Sequence, residues 1–162
     1  MRFDLKNSCR KTIRLRDYDY SQAGAYFVTI CTYNKECLFG NIIDGDIVLS
    51  PMGKIAYKFW LEIPLHFKSI KLDEFIIMPN HIHGIILITD QGRGVKFNAP
   101  TRTNNYYSRI SPQKDTLPVI IRTYKSVVTH YGKQNGYEYF KWQRAYYEHV
   151  IRNEDDLNQV RE

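Results

Sequence analysis

Cysteine is scarce in this sequence. Three cysteines in 162 residues (Cys9, Cys31 and Cys37) are too few, and odd in number, for a disulfide scaffold. Their scarcity points to a reducing, cytoplasmic setting. Long apolar runs are missing too: none approaches the roughly 20 residues a membrane-spanning helix needs. The opening MRFDLKNSCRK has no apolar stretch of the signal-peptide kind. Acids are in deficit, with 17 Asp and Glu against 23 Lys and Arg, a formal net charge of +6. No internal repeat and no second domain is visible. An apolar share of 43% excludes a disordered tail and supports one globular domain with a core of its own.

Positive charge and tyrosine are plentiful. There are 13 tyrosines, and aromatics make up 14% of the chain. Cationic side chains neutralise phosphates, and aromatic faces stack on unpaired bases. The composition therefore fits a nucleic-acid partner, and fits equally a basic protein with a tyrosine-rich core. Met1 to Arg16 holds six basic residues, Arg14 and Arg16 among them, against Asp4 alone. Such an arm either lies along a phosphate backbone or is a solvated terminus.

Ala25 to Tyr33 (AYFVTICTY) is β-branched and aromatic and reads as a buried strand. Asp44-Gly45-Asp46, flanked by Ile42-Ile43 and Ile47-Val48-Leu49, reads as a hairpin turn. Ser50-Pro51 opens a helix whose stripe is Met52, Ile55, Ala56, Phe59, Trp60 and Ile63, ended by Pro64. Phe75 to Met78, Pro79-Asn80 and His81 to Ile88 read as strand, tight turn and central strand. Gln91 to Asp115 reads as a long mobile loop. A second helix starts at Asp115 or Thr116, carries Leu117, Ile120, Ile121, Tyr124, Val127, Val128 and Tyr131 on one face, and stops at Gly132. Phe140 to Ile151 reads as extended. Asn153 caps a third helix, with Glu154, Asp155 and Asp156 in its first turn, and the sequence ends at Glu162 before any terminator. This order predicts a two-layer α+β sandwich with an antiparallel sheet.

His81-Ile82-His83 is the feature with chemistry in it. On a strand, residues i and i+2 share a face, so both imidazoles project together while Ile82 turns inward. Two imidazoles on a rigid strand make a pair of metal ligands. A third, oxygen ligand from another element would suit Mg²⁺ or Mn²⁺ at a phosphate, and Zn²⁺ also accepts imidazole. The plainer reading is two polar residues beside a turn. Tyr146 and Tyr147 fall on opposite faces of an extended segment, so one of them can face the pair. His149 is either a charge-tuning partner or a structural histidine, and Arg144 and Arg152 are either phosphate contacts or solvated. His66 and His130 suit helix ends, and Cys31 and Cys37 lack zinc-site spacing.

The segment Phe75-Ile-Ile-Met-Pro-Asn-His-Ile-His-Gly-Ile-Ile-Leu-Ile88 resembles the HUH motif of single-tyrosine transposases, most of all the REP-associated tyrosine transposases. Tyr26 to Thr32 resembles their first strand, and Trp142 to Asn153 the block before their catalytic helix. The blocks keep the family's order across roughly residues 10 to 162. The resemblance implies a ferredoxin-like, RRM-like fold in a single domain. It implies His81 and His83 as ligands of Mg²⁺ or Mn²⁺, with a third polar ligand. It implies a tyrosine that attacks single-stranded hairpin DNA, leaving a 5′-phosphotyrosine and a free 3′-OH. Arg14, Arg16, Arg144, His149 and Arg152 are the expected DNA contacts. The family's tyrosine would fall immediately after Glu162, so the helix reads as cut short, with Tyr147 as a weak substitute nucleophile. A non-catalytic hairpin-binding protein and a water-using metal nuclease are the alternatives, acting as a monomer or a homodimer.

Overall fold

The computed structural model of the chain describes residues 22–89 and 115–161. The basic arm with Arg14 and Arg16, nearly all of the expected loop, and Glu162 lie outside the described residues. Strand β1 (Gly24–Cys31) alternates fully buried Tyr26, Val28 and Ile30 with half-buried neighbours. That period of two marks a strand covered on one face. β1 pairs antiparallel with β5 (His81–Ile88) on one side and with β6 (Tyr147–Ile151) on the other. β4 (Ile70–Met78) completes the sheet beyond β5, giving the order β4-β5-β1-β6. With helices crossing between β1 and β4 and between β5 and β6, this is the expected ferredoxin-like two-layer α+β sandwich. β5 is central, as its apolar residues on both faces require.

A separate hairpin, β2 (Gly40–Ile43) and β3 (Asp46–Leu49), turns on Asp44 and Gly45. Both have positive φ, 53° and 90°, the backbone a two-residue primed turn demands. Helix α1 (Pro51–Leu61) is capped by Ser50, whose hydroxyl accepts the Gly53 amide at 3.0 Å. α1 stops three residues before Pro64. That proline instead lies in the first turn of a short helix, α2 (Ile63–His66), where its missing N–H is not needed. Helix α3 (Leu117–Gln134) begins after Thr116 and runs past Gly132. A Cβ at Gly132 would stand 2.8 Å from the Met52 sulfur, so this glycine serves packing, and the left-handed turn falls at Gly136, φ 88°. Tyr131 is 41% exposed rather than core, although its ring meets Phe59.

Two further differences have local causes. β4 starts at Ile70, earlier than Phe75, because a bulge between Leu72 and Phe75 inserts Asp73 and Glu74 and masks the alternation. Of Phe140 to Ile151, only Tyr147–Ile151 is strand. The preceding stretch is pinned by a bridge from Trp142 to Thr32 and by Trp142 packing on Phe39 and Phe140.

The core lies between the sheet and helices α1 and α3. Trp60, fully buried, meets Tyr124 edge-on at 5.2 Å, and the Tyr124 hydroxyl donates to the Ala56 carbonyl. Trp60 rests on Gly84 of β5, where a Cβ would fall 2.3 Å from the indole. Gly84→Ala is therefore expected to lower stability by about 1–3 kcal/mol through overpacking. Urea unfolding with a lower midpoint and an unchanged slope is the expected result.

Candidate metal centre

The opposite face of the sheet carries the histidines. Burial of Ile82 and Ile86 against the helices turns His81 and His83 outward. The Pro79-Asn80 turn that launches β5 is held firmly. Its carbonyls accept the Phe39 amide at 2.9 Å and the Thr32 amide and hydroxyl, each at 3.0 Å. The ring of His83 stacks on Phe27, 5.3 Å between centroids.

The two imidazoles converge, with their Nε2 atoms 2.9 Å apart. The hydrogen bonds around them set the tautomers. Asn80 donates its Nδ2–H to the Lys35 carbonyl, so its Oδ1 faces His81 Nδ1 at 2.6 Å and accepts a hydrogen bond from an Nδ1–H. His81 Nε2 is then a lone pair. His83 supplies the proton between the two Nε2 atoms, which makes its Nδ1 the acceptor of the Thr29 hydroxyl at 2.9 Å. Rotation of that hydroxyl lets His83 carry its proton on Nδ1 instead, freeing both Nε2 lone pairs for one cation. Burial, then Lys35, lowers the pKa of His81; burial, then His81, lowers that of His83. Both effects favour the neutral rings that metal binding needs. The donor set fits a divalent cation that accepts imidazole, such as Mn²⁺, better than Mg²⁺. Among the described residues no group of three His, Cys, Asp or Glu that could hold a metal ion assembles, and the two imidazoles stand as a pair.

Tyr147 shares the histidine face. Thr29 pairs with His83 on one side and with Tyr147 on the other, two strand spacings apart, roughly 10 Å. Tyr146 packs against the core on the other face. Cys31, expected within a buried strand, is half-buried on the open face as the register partner of His81. His149 is also on this face, paired with Phe27, and its Nε2 meets Asp156 at 2.9 Å. Arg152 is exposed, its amide bound to Asp156, and Arg144 lies apart from the pair, in a cleft beside α3. Thr29 and Asn80 were not visible as partners from sequence; the alternation that buries Val28 and Ile30 is the signal that turns Thr29 to this face.

Helix α4 (Glu154–Arg161) crosses the open face. Asn153 caps it by accepting the Asp156 amide at 2.8 Å. His149 and Asp156 tie its start to β6, and Arg161 pairs with Asp73 in the β4 bulge at its end. Val160 and Arg161 thereby line a cavity with Phe27, Glu74 and His83.

No family model matches the chain. A protein of uncharacterised function from Haemophilus influenzae is 42% identical over 153 residues, covering 94% of this chain and 84% of that one. The chain belongs to the same family as this Haemophilus protein. Among solved structures, a REP-associated tyrosine transposase bound to a REP hairpin superposes with a TM-score of 0.56 at 18% identity. The match covers 90% of this chain and 66% of that transposase. A Deinococcus radiodurans protein classed as a transposase gives 0.50 at 11% identity, covering 91% of each chain. The transposase resemblance in the sequence is thus matched by a shared fold.

The His149–Asp156 contact makes docking of α4 pH-dependent. The hydrogen bond from His149, then that from the Arg152 amide, holds the Asp156 carboxyl below its ordinary 3.8. A depressed folded-state value contributes stability above the unfolded pKa, and that contribution is lost as pH falls through the folded value. Protection factors of the α4 amides, taken relative to intrinsic exchange at each pH, are expected to fall as pH drops below the ordinary carboxylate range, and Asp156→Asn is expected to show low protection throughout. Unchanged protection in Asp156→Asn would contradict the tether.

Proposed function

We propose that this is a transposase-like protein that binds single-stranded DNA folded as a hairpin and seats one phosphodiester at the His81–His83 pair. The observation that carries this reading is the convergence of two imidazoles on a central strand, on the open face of an antiparallel sheet. His81 and His83 would hold a divalent cation, which would supply Lewis-acid polarisation of the scissile phosphate. The chain's own residues do the rest. Asn80 and Thr29 orient the two rings, Phe27 supports His83, and α4 closes one side of the cavity. The solved transposase that shares the fold holds a REP hairpin, which supports hairpin DNA as the ligand here.

In the strand-transfer step a tyrosine oxygen bonds to phosphorus, the P–O3′ bond breaks, and the departing 3′ oxygen takes a proton. Helix α4 contains no tyrosine, but it ends with Val160 and Arg161 on the cavity floored by His83. The tyrosine among the strand residues that shares the histidine face, Tyr147, lies roughly 10 Å away across the sheet, too far to attack without movement.

The test is an incubation of the 162-residue chain with a labelled hairpin oligonucleotide and Mn²⁺, run on a denaturing gel and, in parallel, in a binding assay. Binding without a covalent adduct is the expected result, with binding strengthened by Mn²⁺ in the wild type and not in His81→Ala or His83→Ala. Absence of hairpin binding overturns the proposal. Cleavage without an adduct, lost in both variants, replaces it with a water-using nuclease. An adduct that Tyr147→Phe abolishes would place the nucleophile inside the chain.

A further inference from the structure

A second cationic feature lies outside the histidine site. Arg122 and Lys125, one turn apart on α3, face Arg144 across a cleft completed by Pro118, Ile121 and Tyr146. No carboxylate lines it. Among the described residues neither Arg122 nor Arg144 has an ion-pair partner. The cleft is rigidly built. The Lys125 ammonium donates to the Gln143 carbonyl at 2.6 Å, the Trp142 indole N–H donates to the Lys125 carbonyl at 3.1 Å, and the Gln143 amide donates to the Cys31 carbonyl at 2.9 Å. These bonds fix the backbone that presents Arg144. Half-burial lowers the Lys125 pKa to about 8, outweighing an upward pull from Cys31.

Position gives the cleft its meaning. Gln143 is bonded to Cys31, and Cys31 is the register partner of His81. The backbone that presents Arg144 therefore lies at the same end of the sheet as the histidines, two strand spacings or roughly 10 Å from β5, with the cleft itself on the α3 side of the sheet. Lys35, beside His81, and the exposed Lys141, whose carbonyl accepts the Tyr33 amide, continue the positive charge along that end.

We propose that Arg122, Lys125 and Arg144 form a second phosphate site, which takes a backbone phosphate of the single strand flanking the hairpin whose scissile phosphate lies at His81 and His83. The inference rests on the DNA reading above and extends it. Guanidinium groups match phosphate oxygens in fork geometry, and with no carboxylate lining the cleft they are not already neutralised by an acid there. A strand crossing the end of the sheet from β5 past β1 reaches the cleft within a few nucleotides.

The experiment measures binding of two oligonucleotides across a salt series, one a hairpin with a single-stranded flank and one the same hairpin trimmed blunt. For Arg122→Ala/Arg144→Ala, affinity for the flanked hairpin is expected to fall about 10-fold near 0.15 M salt, with the log–log salt slope shallower by about 1–2. Affinity for the blunt hairpin is expected to hold within about twofold. Lys68→Ala/Lys71→Ala, which removes equal charge at the start of β4, is expected to match the wild type. Wild-type affinity and slope in the arginine variant would overturn the proposal, and so would equal losses for both hairpins. If the wild type binds neither hairpin, the DNA reading itself fails. A titration of the labelled protein with inorganic pyrophosphate then decides the remainder. Shifts in the Arg122 and Arg144 side-chain resonances would retain an anion site while removing the nucleotide occupant, and no shift would remove both.

Discussion

The phase of strand β5 is the constraint on which the rest of the molecule depends. Side chains alternate with a period of two, so a slip of one residue would carry both imidazoles into the core and Ile82 into water. Three features prevent it. Ile82 and Ile86 are fully buried, Trp60 occupies the space that any side chain at position 84 would need, and the Pro79-Asn80 turn is gripped by Thr32 and Phe39. Central placement between β4 and β1 adds hydrogen bonds along both edges. The same residues that stabilise the fold therefore aim the histidines, and the site inherits the rigidity of the core.

That rigidity explains the close approach of the rings. Two imidazole nitrogens 2.9 Å apart repel unless a proton or a cation lies between them. The Asn80 amide commits one ring, and the Thr29 hydroxyl, which donates or accepts with equal ease, leaves the other free to change tautomer. The pair can thus pass from a hydrogen-bonded form to one with both Nε2 lone pairs free, the form the proposed cation would need, at little structural cost. Helix α4, tied down by the His149–Asp156 hydrogen bond at its start and the Arg161–Asp73 ion pair at its end, shields one flank of this arrangement and leaves the end of the sheet toward β1 and β6 open.

Much of this was legible in the sequence. The β5 pattern, the Asp44-Gly45 turn, the Ser50-Pro51 start and the Asn153 cap are local signals, and local chemistry decides them. The misplaced boundaries share one cause: residues whose role is tertiary. Gly132 looks like a terminator but makes room for Met52. Pro64 looks like a stop but opens α2. Asp73 and Glu74 interrupt the β4 alternation because a bulge presents Asp73 to Arg161 on α4. At the site, the histidine pair was visible from spacing, whereas Thr29, 54 positions away from His83, became a partner only through strand register. The cleft of Arg122, Lys125 and Arg144 joins a helix to an irregular segment, and no periodicity connects them.

The central claim is that His81 and His83 together hold one divalent cation, and pulsed electron paramagnetic resonance of the Mn²⁺-loaded protein tests it most directly. The account predicts nitrogen hyperfine modulation from two imidazoles on one manganese ion, reduced to a single imidazole in either alanine variant. Spectra showing only water and oxygen ligands, unchanged by both substitutions, would contradict it.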